Sequence, residues 1–166
     1  MWLEGVCCGS QLLGTRVTRI HALRSSQCDT ELVLKTIARL ALGAFLIFAS
    51  IGHFISADEF LAQVPPWMPA PELVVLVSGL VELALGCLLI FSPRKWRPVV
   101  GCVTAAFFVI IFPGNLWQYF EGRDAFGLDS DTARLVRLLF QPVLVVWALW
   151  ATGAFSTWRK KSSPHS

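Results

Sequence analysis

The sequence predicts an all-α fold, an integral membrane four-helix bundle with both termini cytoplasmic, and three observations predict it. The 166-residue chain is 55% hydrophobic and only 15% charged, with a mean hydropathy of +0.61, which is too apolar for a soluble domain of this size. Four windows hold the roughly 20 predominantly apolar residues that a membrane span needs: Val33 to Phe54, Leu73 to Phe91, Val99 to Phe120 and Ala133 to Phe155. The third observation is charge asymmetry. Eleven of the 14 basic residues (Arg16, Arg19, Arg24, Lys35, Arg39, Arg94, Lys95, Arg97, Arg159, Lys160 and Lys161) lie on one side of the alternating spans, against Arg123, Arg134 and Arg137 on the other. Basic residues concentrate in cytoplasmic loops, so that side is the cytoplasm.

The net charge of +3 therefore reflects topology. No basic cluster has the size or aromatic interleaving of a nucleic-acid surface, and nucleic acid is excluded as a partner. The lipid bilayer is the partner that the composition demands.

Residues 1–30 read as a flexible or targeting N-terminal extension, rich in Gly, Ser, Cys and Arg and without a sustained helical period. Its Arg-rich, acid-poor character fits a transit peptide in general terms, with a flexible tail and an over-long start as the other readings. The location follows the same branch: a bacterial plasma (inner) membrane, or an organellar membrane if residues 1–30 are a transit peptide. Residues 31–157 form the four-span domain, and residues 158–166 a basic cytoplasmic tail.

After the first span, Ser56-Ala-Asp-Glu59 has capping-box spacing and precedes Phe60, Leu61 and Val64, which predicts a short helix in the outer interface. Val64-Pro-Pro-Trp-Met-Pro-Ala-Pro71 then predicts an extended, stiff connection, with Trp67 as an interface anchor and the segment as a rigid outer cap in preference to a ligand-contacting lid. The second span leads to the tight basic turn Ser92–Pro98. The third must continue through Pro113 to cross the core, which brings Asn115 and Gln118 into the membrane or to its edge. A mixed-charge loop from Glu121 to Asp131 follows, and Ser130 or Asp131 caps the last helix.

The five cysteines, Cys7, Cys8, Cys28, Cys87 and Cys102, show no CxxC spacing and no Cys/His metal pattern. No metal site, phosphate-binding glycine loop or nucleophile elbow is legible. Nothing in the residues decides whether the chain is an enzyme.

The informative residues are the polar ones within the spans. Glu82 sits near the middle of an apolar run, where a charge costs roughly 2.5–3.5 kcal/mol on insertion scales and so calls for a partner or a task. Val75, Gly79, Glu82 and Gly86 share one helix face by their i, i+4, i+7, i+11 spacing, and the two glycines permit close helix approach. Arg134, Arg137 and Gln141 make a second polar stripe. At about 1.5 Å of rise per residue, His53, Asn115, Gln118, Arg137 and Gln141 all fall in the outer half, with Glu82 at mid-depth. These six residues are the candidate lining of an outward-facing polar pocket. Arg137 is the preferred counter-ion for Glu82, and His53 the next. Pro113 and Pro142 free the carbonyls of Val109 and Leu138, which Asn115 and Gln141 lie near enough in sequence to satisfy. A polar network that merely locks the helices together explains the same residues equally well.

Five ordered pieces between residues 35 and 155 resemble the DoxX-like family of small four-helix membrane proteins: Gly52-His53-Phe54, Val64-Pro-Pro-Trp-Met-Pro69, Ser78-Gly-Leu-Val-Glu-Leu-Ala-Leu-Gly86, Phe112-Pro-Gly-Asn115 and Arg137-Leu-Leu-Phe-Gln141. The resemblance implies a four-helix bundle with Glu82, Asn115, Arg137 and Gln141 at the family's polar positions. It also implies a link to redox biology: an accessory or quinone-interacting subunit of a membrane oxidoreductase system, with an oxidoreductase subunit as partner and a homo-oligomer as a further form. No cofactor is evident in the residues themselves, and a quinone is the ligand the resemblance suggests. The alternative is a non-enzymatic membrane scaffold or a small-molecule binder of transporter type.

Overall fold

The structure, a computed structural model, describes residues 14–123 and 130–156. The expected targeting segment up to residue 13, the centre of the mixed-charge loop and the basic tail from residue 158 lie outside the described residues. The elements are α1 (Gly14–Ile55), α2 (Ala57–Leu61), α3 (Pro71–Phe91), α4 (Arg97–Phe120) and α5 (Asp131–Ala151). Residues up to Leu34 and residues from Lys35 form separate compact units, and the site lies wholly in the second. In the first unit the chain is helical from Gly14, although the sequence there shows no sustained period; its Leu, Ala and Arg residues have high intrinsic helix propensity.

Four helices are long and apolar enough to cross a membrane: Asp29–Ile55, Pro71–Phe91, Arg97–Phe120 and Asp131–Ala151. They fit a polytopic membrane protein. The distribution of side chains agrees, because Leu76, Val77, Leu80, Ile110, Val136 and Leu139 face outward while Arg39, His53, Glu82, Asn115, Gln118 and Gln141 are buried. Water would favour the reverse.

The helices meet through small residues and a few directed bonds. A Cβ on Gly86 would come within 2.8 Å of the Gly43 carbonyl, so α1 and α3 touch backbone to backbone, and Ser50 Oγ donates to the Gly79 carbonyl at 2.8 Å. Trp147 Nε1 of α5 donates to the Ala38 carbonyl of α1 at 3.0 Å. Gly101 of α4 abuts Thr152 and Ala148. The core, including Leu42, Leu46, Leu85, Leu89, Phe108 and Leu144, draws on all four long helices. Arg39 Nη1 donates to the carbonyls of Leu89 and Ile90, satisfying the open end of α3.

Three local expectations change. Ser56 is the N-cap of α2, but its side chain makes no capping bond; Glu59 N–H bonds the Ser56 carbonyl instead, at 3.1 Å, so a backbone turn replaces the capping box. The proline segment is folded, not extended. The Met68 amide donates to the Pro65 carbonyl at 3.0 Å, and the fixed φ of Pro66 suits the second position of that turn. The last helix stops at Ala151, four residues before Phe155, because Gly153 takes φ +76, the left-handed conformation that ends helices. Ser130 does cap α5, its Oγ accepting from the Ala133 amide at 3.2 Å.

A buried histidine–glutamate pair and its polar neighbours

His53 lies two residues before the end of α1, and the α1/α3 crossing brings its ring over α3. Nδ1 lies 3.0 Å from the Val75 carbonyl. A carbonyl only accepts, so Nδ1 carries the hydrogen. Ser78 Oγ donates to the same carbonyl at 2.9 Å and stands 3.4 Å from Nδ1. Nε2 is thereby turned toward Glu82, 3.4 Å from Oε2.

Both residues are buried, His53 at 7% and Glu82 at 6% exposure, and Oε2 makes no aligned hydrogen bond. The contact is thus an electrostatic approach, longer than a well-formed bond. With the hydrogen on Nδ1, Nε2 is the ring nitrogen that faces the carboxylate. Phe60 of α2 stacks on the imidazole, ring centroids 3.6 Å apart and planes 27° apart, and closes its other face.

The order of partners expected for Glu82 is therefore reversed. His53 makes the ionic contact, while Arg137 Nη2 donates to Gln63 Oε1 at 2.8 Å. Gln63, just beyond α2, ties that segment to α5, a role no sequence motif marks.

The remaining candidates make bonds of their own. Asn115 Nδ2 donates to Gln141 Oε1 at 2.8 Å, and Gln141 Nε2 donates to the Phe108 carbonyl at 2.7 Å. The satisfied carbonyl is one residue before Val109, on the turn that Pro113 disturbs. Gln118 Nε2 reaches the Arg123 carbonyl at 3.4 Å, holding the chain as it leaves α4. Arg134, buried, pairs with Asp131 at 2.8 Å. The six candidates thus divide into the His53–Glu82 pair, the Asn115–Gln141 bond, Arg137 on Gln63, and Gln118 on the backbone. Two cavities, one along Ala38, Pro142 and Trp147 and one beside Ser92 and Trp96, are lined by other residues.

Among the described residues no cluster of three or more His, Cys, Asp or Glu is arranged to hold a metal ion. A family model described as a domain of unknown function, DUF8561, matches residues 42–152, an interval that contains all six candidates. No curated protein and no solved structure matches the chain.

Proposed function

The chain belongs to the DUF8561 family, and from that premise we propose that it is an accessory subunit of a membrane oxidoreductase system whose proton-handling centre is the His53–Glu82 pair. The observation that carries this reading is the buried carboxylate facing a tethered imidazole at 3.4 Å. A carboxylate at span mid-depth is expensive, and pairing with a titratable ring gives it a partner with which to hold and release a proton. The resemblance to DoxX-like proteins supplies the redox setting. The basic-residue asymmetry supports insertion with both ends cytoplasmic and, for a bacterial chain, residence in the plasma membrane.

A quinone is the ligand class we assign to this centre; when bound it supplies the electron chemistry that the side chains lack. The chain offers one transferable proton between Nε2 and Oε2, which suits a carbonyl oxygen. Access is what the present arrangement denies, since Phe60 covers the imidazole. Binding would require α2 to lift Phe60 away. The test is purification in mild detergent with analysis of co-purifying quinones and proteins, for the native chain and for Glu82→Gln. Quinone retained by the native chain and lost in the variant is expected; no quinone and no redox partner with the native chain would sink the reading.

The non-enzymatic scaffold is favoured by a different observation: Asn115, Gln118 and Gln141 are engaged in bonds that join or terminate helices. If Glu82→Gln lowers stability but leaves the activity of co-purifying partners unchanged, the scaffold reading replaces the first.

A further inference from the structure

At the end of the bundle away from α2, a groove of about 500 Å³ runs between α3 and α4, with Leu85, Leu88, Trp96, Val99, Val103 and Ser92 among its lining residues. Its size is within the roughly 300–1,000 Å³ of small-ligand sites. Leu88, Trp96, Val99 and Val103 are about half exposed, so the groove opens to the surroundings of the bundle. The connecting turn at its mouth carries Arg94 and Lys95, both exposed, and Arg97, whose Nε donates to the Ser92 carbonyl at 3.4 Å.

Positive charge on a short loop is by itself a topology signal. The hydroxyl of Ser92 is a separate observation. Ser92 is 8% exposed, lines the groove, and its Oγ is buried with no hydrogen-bond partner. A sealed hydroxyl destabilises a fold unless something meets it.

We propose that this groove binds an anionic phospholipid. An acyl chain lies along Leu85, Leu88, Val99 and Val103, while the phosphate pairs with Arg94 and Lys95 and accepts from Ser92 Oγ once rotation about χ1 turns the hydroxyl out into the groove. Trp96 sits at the level where indole rings favour the headgroup boundary. An apolar slot, an unmet donor and cations at one end together match a molecule with a long apolar tail and a single anionic head. A neutral lipid would leave the cations unused, and a free phosphate would leave the slot unfilled. The site shares with the proposed function only the membrane setting, and loss of quinone binding in Glu82→Gln leaves it untouched.

The full chain in nanodiscs of phosphatidylglycerol and phosphatidylcholine in equal amounts tests this, with retained lipid identified by native mass spectrometry after release into detergent. Phosphatidylglycerol should be retained in preference, and Arg94→Gln and Lys95→Gln should each weaken retention about fivefold. Ser92→Ala and the groove-filling Val99→Trp should weaken it with the charges intact. In the native chain, which avoids any folding defect, short-chain phosphatidylglycerol should displace the bound lipid and glycerol phosphate should not. Equal retention of both lipids, displacement by glycerol phosphate alone, unchanged retention in both Ser92→Ala and Val99→Trp, or a second copy of the chain held in place of lipid would each overturn the proposal.

Discussion

Gly79 lies so close beneath His53 that a Cβ at residue 79 would stand 2.8 Å from the His53 Cβ and 3.2 Å from its Cγ. The glycine on α3 therefore sets where the imidazole of α1 sits, and through it the contact with Glu82. Gly79→Ala should push the ring off Glu82 and cost about 1–3 kcal/mol, as overpacking does. The infrared carboxyl band that disappears in Glu82→Gln should shift in Gly79→Ala as it does in His53→Ala. An unmoved band would mean the ring accommodates the methyl group without leaving its partner.

His53→Ala and Glu82→Gln should each lower stability by about 1–3 kcal/mol, since each leaves a buried polar group unmet. Their coupling in a double-mutant cycle, measured by unfolding in mixed micelles, should fall at about 0.5–3 kcal/mol. The cycle between Glu82→Gln and Arg137→Met should give the smaller coupling, because Arg137 is engaged with Gln63. A larger value for Arg137 would restore it as the principal counter-ion.

Gln141→Leu removes both the acceptor of Asn115 and the donor to the Phe108 carbonyl, and should cost about 1–2 kcal/mol. Asn115→Ala breaks only the first bond and should cost less. Equal losses on thermal unfolding in detergent would show that the Phe108 carbonyl finds another donor near Pro113.

Gly86→Ala would place its methyl carbon 2.7 Å from the Ile47 side chain and 2.8 Å from the Gly43 carbonyl. Since backbone cannot step aside as a side chain can, a loss of about 1–3 kcal/mol is expected. Gly52→Ala is the control, because its Cβ would meet only the Phe60 ring, at 3.5 Å, and should be close to neutral. Similar melting temperatures for the two variants would contradict the close α1/α3 crossing.

The four long apolar helices were legible because a helix able to cross a membrane is written in about 20 consecutive residues, and those runs survive errors of a few positions at the ends. The face shared by Gly79, Glu82 and Gly86 was legible for the same reason: helical spacing is local. The partner of Glu82 was not. Choosing His53 over Arg137 requires knowing that α1 crosses α3 at Gly43 and Gly86, a fact about two segments some forty residues apart. The failure of the Ser56 cap and the folding of the proline segment have a related cause. In both places a backbone carbonyl, of Ser56 and of Pro65, took the hydrogen bond, and sequence motifs describe side chains.

The bond from His53 Nδ1 to the Val75 carbonyl bears on the direction in which a proton can travel. A relay that carries protons across a barrier needs a ring free to turn, receiving on one nitrogen and releasing from the other. Here one nitrogen is moored to the backbone, so in the proton-handling role proposed above a proton arriving through Glu82 would depart by the route it came. In that role the pair would serve as a reservoir filled and emptied from one side, and not as a wire.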